Sequence, residues 1–257
     1  DYQWNIIGSV STMEDITREL EVDRMKSEFI STVSHELRTP LTSIKGYVDL
    51  ILEGDAGEVN ETQKEFLQIV AQSTNRLGDL VNDLLDVERI ESGRIQLRRE
   101  PVDIGVIIYQ VIRTFSKEIE KKGISLYTAV PKTLPMVLGD RERIEQVLAN
   151  LVSNAIKYNI PSGWIKVAAG LEDNFVKVEV QDSGLGISEE DQLRLFQKFF
   201  RAGSAKTSEE GGTGLGLSIV KSIVEAMGGK VRVKSKLREG STFTILLPAE
   251  KPPREYI

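Results

Sequence analysis

The chain has 257 residues, of which 40% are hydrophobic and 28% are charged, and its formal net charge is −6. This composition is typical of a globular protein with one large or two ordinary domains, and it excludes a disordered chain. The negative charge and the lack of a dense lysine and arginine block argue against nucleic acid or an anionic membrane as a partner. The absence of cysteine excludes disulfides and thiolate chemistry, and a single histidine excludes metal sites that need two imidazoles.

The first residues read as the end of a segment that begins upstream. Residues 6–11 (IIGSVS) are predicted to form a β-strand that has no partner strand in this sequence. No apolar run approaches the length that spans a membrane, and no signal peptide is visible. We therefore expect a soluble, cytoplasmic chain that is attached to a membrane only if upstream segments provide the attachment.

A long amphipathic helix is predicted for residues 15–52. Its apolar side chains recur every three or four positions, as one face of a helix requires. These side chains are Met25, Phe29, Val33, Leu37, Leu41, Ile44, Val48 and Ile51. The sequence GDAG at residues 54–57 interrupts the pattern, so the helix is expected to end there.

A second long helix is predicted to start at Asn60. Asn60 and Gln63 form a capping box, in which each side chain can accept a hydrogen bond from the backbone N–H of the other residue. The seam of this helix alternates steps of four and three residues, as in a coiled coil. It consists of Phe66, Val70, Ser73, Leu77, Leu80, Leu84 and Val87. Gly93 is expected to end the helix.

The two helices together predict a hairpin that leaves much apolar surface exposed. Pairing two hairpins across a two-fold axis would form a four-helix bundle and bury both seams. We therefore predict a homodimer formed through the hairpin. The alternative is that the seams pack against the second half of the same chain.

The pattern changes near Pro101, where a domain of mixed helices and strands is predicted. Alternating apolar segments indicate strands at 124–130, 164–169, 175–180, 231–234 and 242–247. Helical patterns cover 104–121, 141–158, 189–196 and 215–227. Because most of the strands are arranged as hairpins, we expect an α+β sandwich in which helices cover one face of a sheet.

His35, the only histidine, is predicted to face solvent. It lies two residues from an apolar position on either side, which at about 100° per residue turns it away from the apolar stripe. Glu36 can accept the ring N–H and make the other nitrogen a better nucleophile, and Thr39 lies one turn further on. Pro40 cannot donate to the carbonyl of Glu36, so a kink is expected just after the histidine. A surface histidine without a role is the alternative, and these neighbours argue against it.

Two glycine-rich segments predict a nucleotide site. Residues 182–187 (DSGLGI) follow an apolar strand, and Asp182 could accept a hydrogen bond from an exocyclic amine such as that of adenine. Residues 211–217 (GGTGLGL) open a helix, where bare amides can bind phosphate oxygens. No Gly-Lys-Ser/Thr follows, so this is not a P-loop, and no strand directly precedes it, which excludes the dinucleotide fingerprint. The small polar residues at 201–210 are predicted to form a mobile lid.

A helical segment carries the remaining candidate ligands. Asn150 and Asn154 are one turn apart and share a helix face, where amide oxygens can bind a hard cation such as Mg²⁺. Lys157 can add positive charge against phosphates, and Tyr158 can offer a ring face to a base. The order of these three elements is hard to explain by chance.

With these residues in view, the chain resembles the sensor histidine kinases of two-component systems. Residues 34–41 (SHELRTPL) resemble the phosphoacceptor box of that family, and residues 150–158 resemble its N box. Residues 182–187 and 211–217 resemble the two glycine boxes, and residues 196–201 (FQKFFR) resemble the F box. The resemblance implies a dimeric four-helix bundle followed by an α+β sandwich of the GHKL ATP-binding fold, shared with gyrase and MutL-type ATPases.

The resemblance also implies a role for each matching residue. His35 would be the phosphoacceptor, with Glu36 as its general base and Thr39 positioning water for dephosphorylation of the partner. Asn154 would bind Mg²⁺, Lys157 and Arg201 would contact the phosphates of ATP, and Tyr158 and Asp182 would hold adenine, with Thr242 near the base. The implied nucleotide-contact set is Asn150, Asn154, Lys157, Tyr158, Asp182, Gly184, Gly186, Ile187, Arg201, Gly212, Thr213, Gly214, Leu215, Gly216, Leu217 and Thr242.

The resemblance further implies the domain boundaries and the reaction. Residues 1–24 would hold the end of a PAS-type sensor and a signalling helix, with 25–96 as the dimerisation and phosphotransfer domain. Residues 97–250 would be the catalytic ATP-binding domain, and 251–257 a tail. The implied activity is ATP-dependent autophosphorylation of His35 and transfer to an aspartate of a response regulator, together with phosphatase activity toward it.

One departure and two rival functions stand beside this interpretation. Residues 236–241 (KLREGS) keep only the second glycine of a late G-x-G turn of the family, and Arg238 stands at the first. A GHKL ATPase that drives a clamp would need a carboxylate to activate water where Asn150 provides an amide, a poor base. A purely structural adaptor with a degenerate nucleotide fold would not need intact glycine boxes together with Asn154 and His35.

Overall fold

The structure is a computed structural model, and it describes residues 11, 17–91, 97–203 and 213–250. The chain divides into two compact units, Asp1–Asn75 and Arg76–Ile257. Several predicted features lie outside the described residues: most of the strand at 6–11, the start of the first helix, Gly93, the segment 204–212 and the tail at 251–257.

Two long helices account for the first unit and the start of the second. Helix α1 spans Thr17–Glu53 and helix α2 spans Glu61–Glu91. The Asn60 Oδ1 atom accepts from the Gln63 N–H at 2.8 Å, and the Gln63 Oε1 atom accepts from the Asn60 N–H at 2.9 Å. The predicted helix break and capping box are therefore confirmed. Helix α1 continues through Pro40, and the predicted kink stays a prediction.

The apolar faces of the two helices are largely exposed in the single chain. Met25 is 61% exposed, Phe29 is 68% exposed and Phe66 is 62% exposed, and Ile44 and Ile69 also reach solvent. Exposed apolar side chains in this regular pattern are unusual for a monomer. Within the described ranges, no helix combines the length and the apolar composition needed to cross a lipid bilayer.

The second unit contains a five-stranded sheet with helices packed on it. Its elements in chain order are β1 (Glu100–Val102), α3 (Ile104–Lys121), β2 (Ser125–Ala129), β3 (Val137–Gly139), α4 (Arg141–Lys157), β4 (Trp164–Glu172), β5 (Phe175–Asp182), α5 (Glu189–Gln192), α6 (Gly216–Ala226), β6 (Lys230–Lys236) and β7 (Gly240–Pro248). The sheet order is β2-β4-β5-β7-β6. Strands β4, β5, β7 and β6 pair antiparallel, and β2 joins β4 in parallel.

One face of this sheet forms the core of the unit. Alternate residues of the central strands, such as Ile165, Val178 and Ile245, are fully buried, as the two-residue period of a strand requires. They join the buried faces of α3, α4 and α6 in one hydrophobic cluster. The predicted α+β sandwich is confirmed.

Two details of this unit differ from the sequence prediction. The short strands β1 and β3 pair as a separate antiparallel ribbon that was not predicted, because three-residue strands are too short to show alternation. Helix α5, predicted over 189–196, is regular only over Glu189–Gln192. Ser188 caps its first turn, and residues 193–196 form turns, in which Leu193 is 86% exposed and Leu195 is buried.

Candidate functional site

The second unit contains a cavity of about 420 Å³ beside α4, the end of β5 and the start of α6. Twelve of the residues predicted to contact a nucleotide line it. These are Asn150, Asn154, Lys157, Tyr158, Asp182, Gly186, Ile187, Arg201, Thr213, Gly214, Gly216 and Leu217. Segments separated by up to about 70 residues in sequence therefore converge on one space, as the predicted nucleotide site requires.

Helix α4 supplies one wall of the cavity. Asp140 caps its N-terminus, because the Asp140 Oδ1 atom accepts from the Arg143 N–H at 3.2 Å. The opposite face of the helix is buried in the core, so Asn150 and Asn154 share the half-buried face that lines the cavity. At the C-terminal end, the Lys157 ammonium lies 5.0 Å from the centroid of the Tyr158 ring. The wall thus carries two amides, one cation and one aromatic ring.

Asp182 places a carboxylate inside the cavity at the end of β5. It is only 6% exposed, and its Oδ1 atom accepts from the Gly184 N–H at 2.8 Å. Burial raises the pKa of this carboxyl from 3.8 to about 6, although hydrogen bonds from the backbone N–H groups of Gly184 and Ser241 act in the opposite direction. The group is therefore ionised at neutral pH and can accept a hydrogen bond from a ligand amine.

The two glycines after Asp182 hold the loop close to its neighbours. A side chain at Gly184 would overlap the backbone carbonyl of Tyr158, and the Leu185 N–H donates to that same carbonyl at 3.0 Å. Gly186 has a φ of +64°, in the left-handed region that favours glycine. Gly186 and Ile187 line the cavity, whereas Gly184 acts through close packing.

The second glycine segment positions the start of α6. Gly211 and Gly212 lie outside the described residues, and Thr213 and Gly214 line the cavity. The Thr213 hydroxyl oxygen accepts from the Leu215 N–H at 3.1 Å, and Leu215 itself provides no side-chain cap to the helix. Within the described part of the chain, the first-turn amides of α6 are thus left without a capping side chain and can bind an anion.

Other predicted residues lie at the edge of the cavity or away from it. Arg201 lines it, and the lid that was predicted to continue to residue 210 falls almost wholly outside the described residues. Leu215 is buried in the core rather than in the cavity wall. Thr242 is not among the lining residues, although its neighbours Ser241 and Phe243 are, because successive strand residues point to opposite faces.

Sequence reasoning missed the contribution of α2 to this cavity. Asp79, Asn82, Asp83 and Asp86 line it from the last part of that helix. Their spacing of three and four residues, which places them on one helix face, was the available signal, but only the apolar seam of this helix was considered. Phe200, Leu195 and Gln146 also line the cavity without having been predicted.

Arg238 stands where the family's late turn has its first glycine, and its backbone is in the left-handed region. Arg238 has a φ of +66°, a conformation in which glycine is favoured. Its N–H donates to the Leu185 carbonyl at 2.6 Å, and Gly240, with a φ of +97°, approaches the backbone of Asp182. With arginine at position 238, the loop therefore still packs against the backbone of residues 182–186.

In the first unit, His35, Glu36 and Thr39 are all exposed on α1, as predicted for His35. The Thr39 hydroxyl lies 3.5 Å from the His35 carbonyl oxygen, to which it can donate. Ser34, next to the histidine, is fully buried. The imidazole is thus accessible to a reactant, whereas the hydroxyl directly before it is not.

Two models of known protein families match separate parts of the chain. Residues 25–93 match the family model described as His Kinase A (phospho-acceptor) domain. Residues 139–251 match the model described as Histidine kinase-, DNA gyrase B-, and HSP90-like ATPase. Fold and site together therefore define a phosphoacceptor domain followed by an ATPase-type domain.

Individual proteins that the chain resembles include histidine kinases of known structure. The chain is 39% identical over 251 residues to Drug sensory protein A of Synechocystis sp., covering 93% of this chain and 37% of that protein. It is 33% identical to the catalytic domain of histidine kinase ThkA, with a TM-score of 0.52 over 60% of this chain and 97% of that one. Full-length ShkA in complex with AMPPNP gives a TM-score of 0.74 at 32% identity, covering 88% of this chain and 47% of that one.

The chain belongs to the sensor histidine kinases of two-component systems. It spans less than half the length of the curated relatives it matches, 37% of the Synechocystis protein and 41% of Sensor protein SrrB from Staphylococcus aureus.

Proposed function

We propose that this chain uses ATP to phosphorylate His35 and then passes the phosphoryl group to an aspartate of a response regulator. One observation carries the proposal: a cavity with a buried carboxylate at one side and uncapped helix amides at another, in a chain that also exposes a single histidine. The family membership supports the same reaction.

The cavity walls suggest how ATP is oriented. The ionised Asp182 accepts a hydrogen bond from the exocyclic amine of adenine, and the Tyr158 ring packs against the base. The phosphates point toward the first turn of α6, where the backbone amides and the helix dipole favour negative charge. Lys157 and Arg201 also line the cavity and add positive charge that favours the phosphates.

The donor set fits a hard divalent cation held jointly with the nucleotide. The half-buried amide of Asn154 can provide an oxygen ligand, and Asn150 lies one turn before it. Among the described residues, no cluster of three or more carboxylate or imidazole groups could hold a metal. Mg²⁺ usually keeps water and phosphate oxygens among its ligands, and bound ATP would supply such phosphate oxygens. When bound, Mg²⁺ neutralises charge that develops on the transferred phosphoryl group.

The exposed imidazole of His35 is the nucleophile. Its unprotonated nitrogen forms a bond to the γ-phosphorus while the bond from that phosphorus to the bridging oxygen breaks, and ADP leaves. Glu36 accepts the proton of the other ring nitrogen, which keeps electron density on the attacking nitrogen. The phosphoryl group then moves from His35 to the receiver aspartate, and the Thr39 hydroxyl positions water when the aspartyl phosphate is hydrolysed.

A homodimer and a cytoplasmic location complete the proposal. The exposed apolar side chains of α1 and α2 follow a heptad pattern, and a second copy of the hairpin would bury them in a four-helix bundle. The response regulator would dock on the same helices near His35. ATP and receiver domains are found in the cytoplasm, which supports a cytoplasmic location for this chain.

The proposal is tested by incubating the chain with γ-labelled ATP and Mg²⁺. Label should appear on the wild type, be lost in acid and survive in alkali, as a phosphoramidate bond does. His35→Gln should remove the label while nucleotide binding persists, because His35 lies outside the nucleotide cavity residues. Rapid ATP hydrolysis with no bound label would instead indicate a GHKL ATPase.

A further inference from the structure

A carboxylate of α2 is hydrogen-bonded to the segment that would bind phosphate. The Thr213 Oγ1 atom donates to the Asp83 Oδ2 atom at 3.0 Å, and the same hydroxyl oxygen accepts from the Leu215 N–H. Thr213 therefore links Asp83 to Leu215, the residue directly before the uncapped first turn of α6. A negative charge at this position interacts favourably with the helix N-terminus, just as a phosphate would.

A second contact holds the same stretch of α2 against α4. The Asp86 carboxylate accepts from the Arg143 Nη1 atom at 3.0 Å and from the Gln146 Nε2 atom at 2.6 Å. The side chains of Asp86 and Arg143 are only 17% and 23% exposed, so solvent screens this ion pair incompletely. Arg143 also donates to Gln146 at 2.8 Å, which fixes the geometry of both partners.

The carboxylates on this part of α2 carry the same negative charge as the phosphates of a nucleotide. Asp79, Asp83 and Asp86 all line the cavity. Burial raises the pKa of Asp83, the hydrogen bond from Thr213 lowers it, and the nearby Asp79 and Asp86 carboxylates raise it again. A polyphosphate entering the same space would meet these three groups in a partly desolvated environment, where like charges repel strongly.

We propose that Asp83 acts as an internal competitor of the nucleotide phosphates, so that α2 docked through Asp83 and Asp86 opposes ATP binding. The inference rests on the proposed nucleotide site and assigns it a regulator within the same chain. Docking and nucleotide binding share Thr213 and the start of α6, and each must therefore weaken the other by the same factor. A change in α2 that withdraws Asp83 would raise the affinity for ATP.

The experiment measures ADP binding to the full chain by titration calorimetry at low salt. Asp83→Asn keeps an oxygen that accepts from Thr213 but removes the charge, and it should tighten ADP binding about tenfold, which corresponds to about 1.4 kcal/mol. Asp173→Asn is the matched control: it removes the same charge from an exposed turn at the far end of β5 from Asp182, and it should leave the affinity unchanged. Raising the salt concentration should shrink the difference between Asp83→Asn and the wild type.

A second experiment crosslinks α2 to α4 and tests the same inference without using Asp83→Asn. The chain has no cysteine, so Asp86→Cys combined with Gln146→Cys gives a unique pair that a short, cleavable thiol crosslinker can join. Joining the pair should weaken ADP binding at least tenfold, and cleaving the crosslinker should restore it. The single variant Asp86→Cys, treated in the same way, controls for modification alone.

The outcomes separate the inference from the proposed function. If the wild type binds neither ADP nor ATP, the nucleotide site itself is wrong. If the wild type binds ADP but Asp83→Asn and the crosslinked pair bind it with unchanged affinity, the site stands and Asp83 is not a competitor. Weaker binding by Asp83→Asn would show that Asp83 supports the site, which also overturns the inference.

Discussion

Replacing Asp182 by asparagine is expected to stabilise the nucleotide-free protein while weakening nucleotide binding. The carboxyl is 6% exposed, and burial raises its pKa from 3.8 to about 6. At 1.36 kcal/mol for each pH unit, holding it ionised in the folded state costs about 3 kcal/mol well above pH 6. Asparagine avoids this cost but has only one acceptor oxygen for the N–H groups of Gly184 and Ser241. With about 1 to 2 kcal/mol subtracted for the weakened hydrogen bonds, the net gain is about 1 to 2 kcal/mol.

The stability difference between Asp182→Asn and the wild type should depend on pH. Because the folded-state pKa is raised, the stability associated with the protonated carboxyl is fully present below pH 3.8 and is lost as the pH rises through about 6. Asp182→Asn does not titrate at this position. Its advantage over the wild type should therefore be absent near pH 4, grow through pH 6 and level off above pH 7.

Urea unfolding followed by tryptophan fluorescence at pH 5 and pH 8 measures this difference, and Trp164 in β4 reports on the sheet. ADP titrations of the same protein should show at least tenfold weaker binding, because the amide cannot match an anionic acceptor for the adenine amine. Asp173→Asn, at an exposed turn, is the control for both assays. A stability change of equal size at both pH values would refute the argument that a buried, ionised carboxylate is retained for ligand binding.

Two further substitutions test single roles in the proposed reaction. Asn154→Ala should reduce Mg²⁺-dependent label transfer from ATP by at least a hundredfold while leaving the thermal midpoint nearly unchanged, and an unaltered transfer rate would exclude Asn154 as the metal ligand. Thr39→Ala should slow dephosphorylation of a receiver domain more than autophosphorylation, since Thr39 lies one turn from His35 on an exposed helix face; an equal loss of both activities would indicate a structural role.

Local chemistry made much of the fold predictable. The capping box at Asn60 and Gln63 is a contact between residues three apart, and the break before it contains two glycines with positive φ, Gly54 and Gly57. The predicted bounds of α3 match the observed Ile104–Lys121, because Asp103 caps its N-terminus and its apolar face is strongly periodic. These features depend on residues within one or two helical turns of each other, so they can be predicted without knowing the tertiary contacts.

The remainder depended on contacts between distant segments. The carboxylates at Asp79, Asp83 and Asp86 form an ordinary polar helix face in the sequence, and only the folded chain brings them into the cavity. The pairing of β1 with β3 joins strands that are more than thirty residues apart. Thr242 was assigned by resemblance alone, and the register of β7 against β5 places its neighbours in the cavity instead.

The central claim is that ATP phosphorylates His35, and peptide mass spectrometry after incubation with Mg·ATP tests it most directly. Digestion and analysis under alkaline conditions should locate one phosphate on the peptide that contains His35, with the fragment ions placing it on the imidazole. Ser34 is buried and Thr39 is exposed, so the fragments must separate the histidine from the threonine. A phosphate on Thr39, or an unmodified His35 in protein that has consumed ATP, would contradict the account.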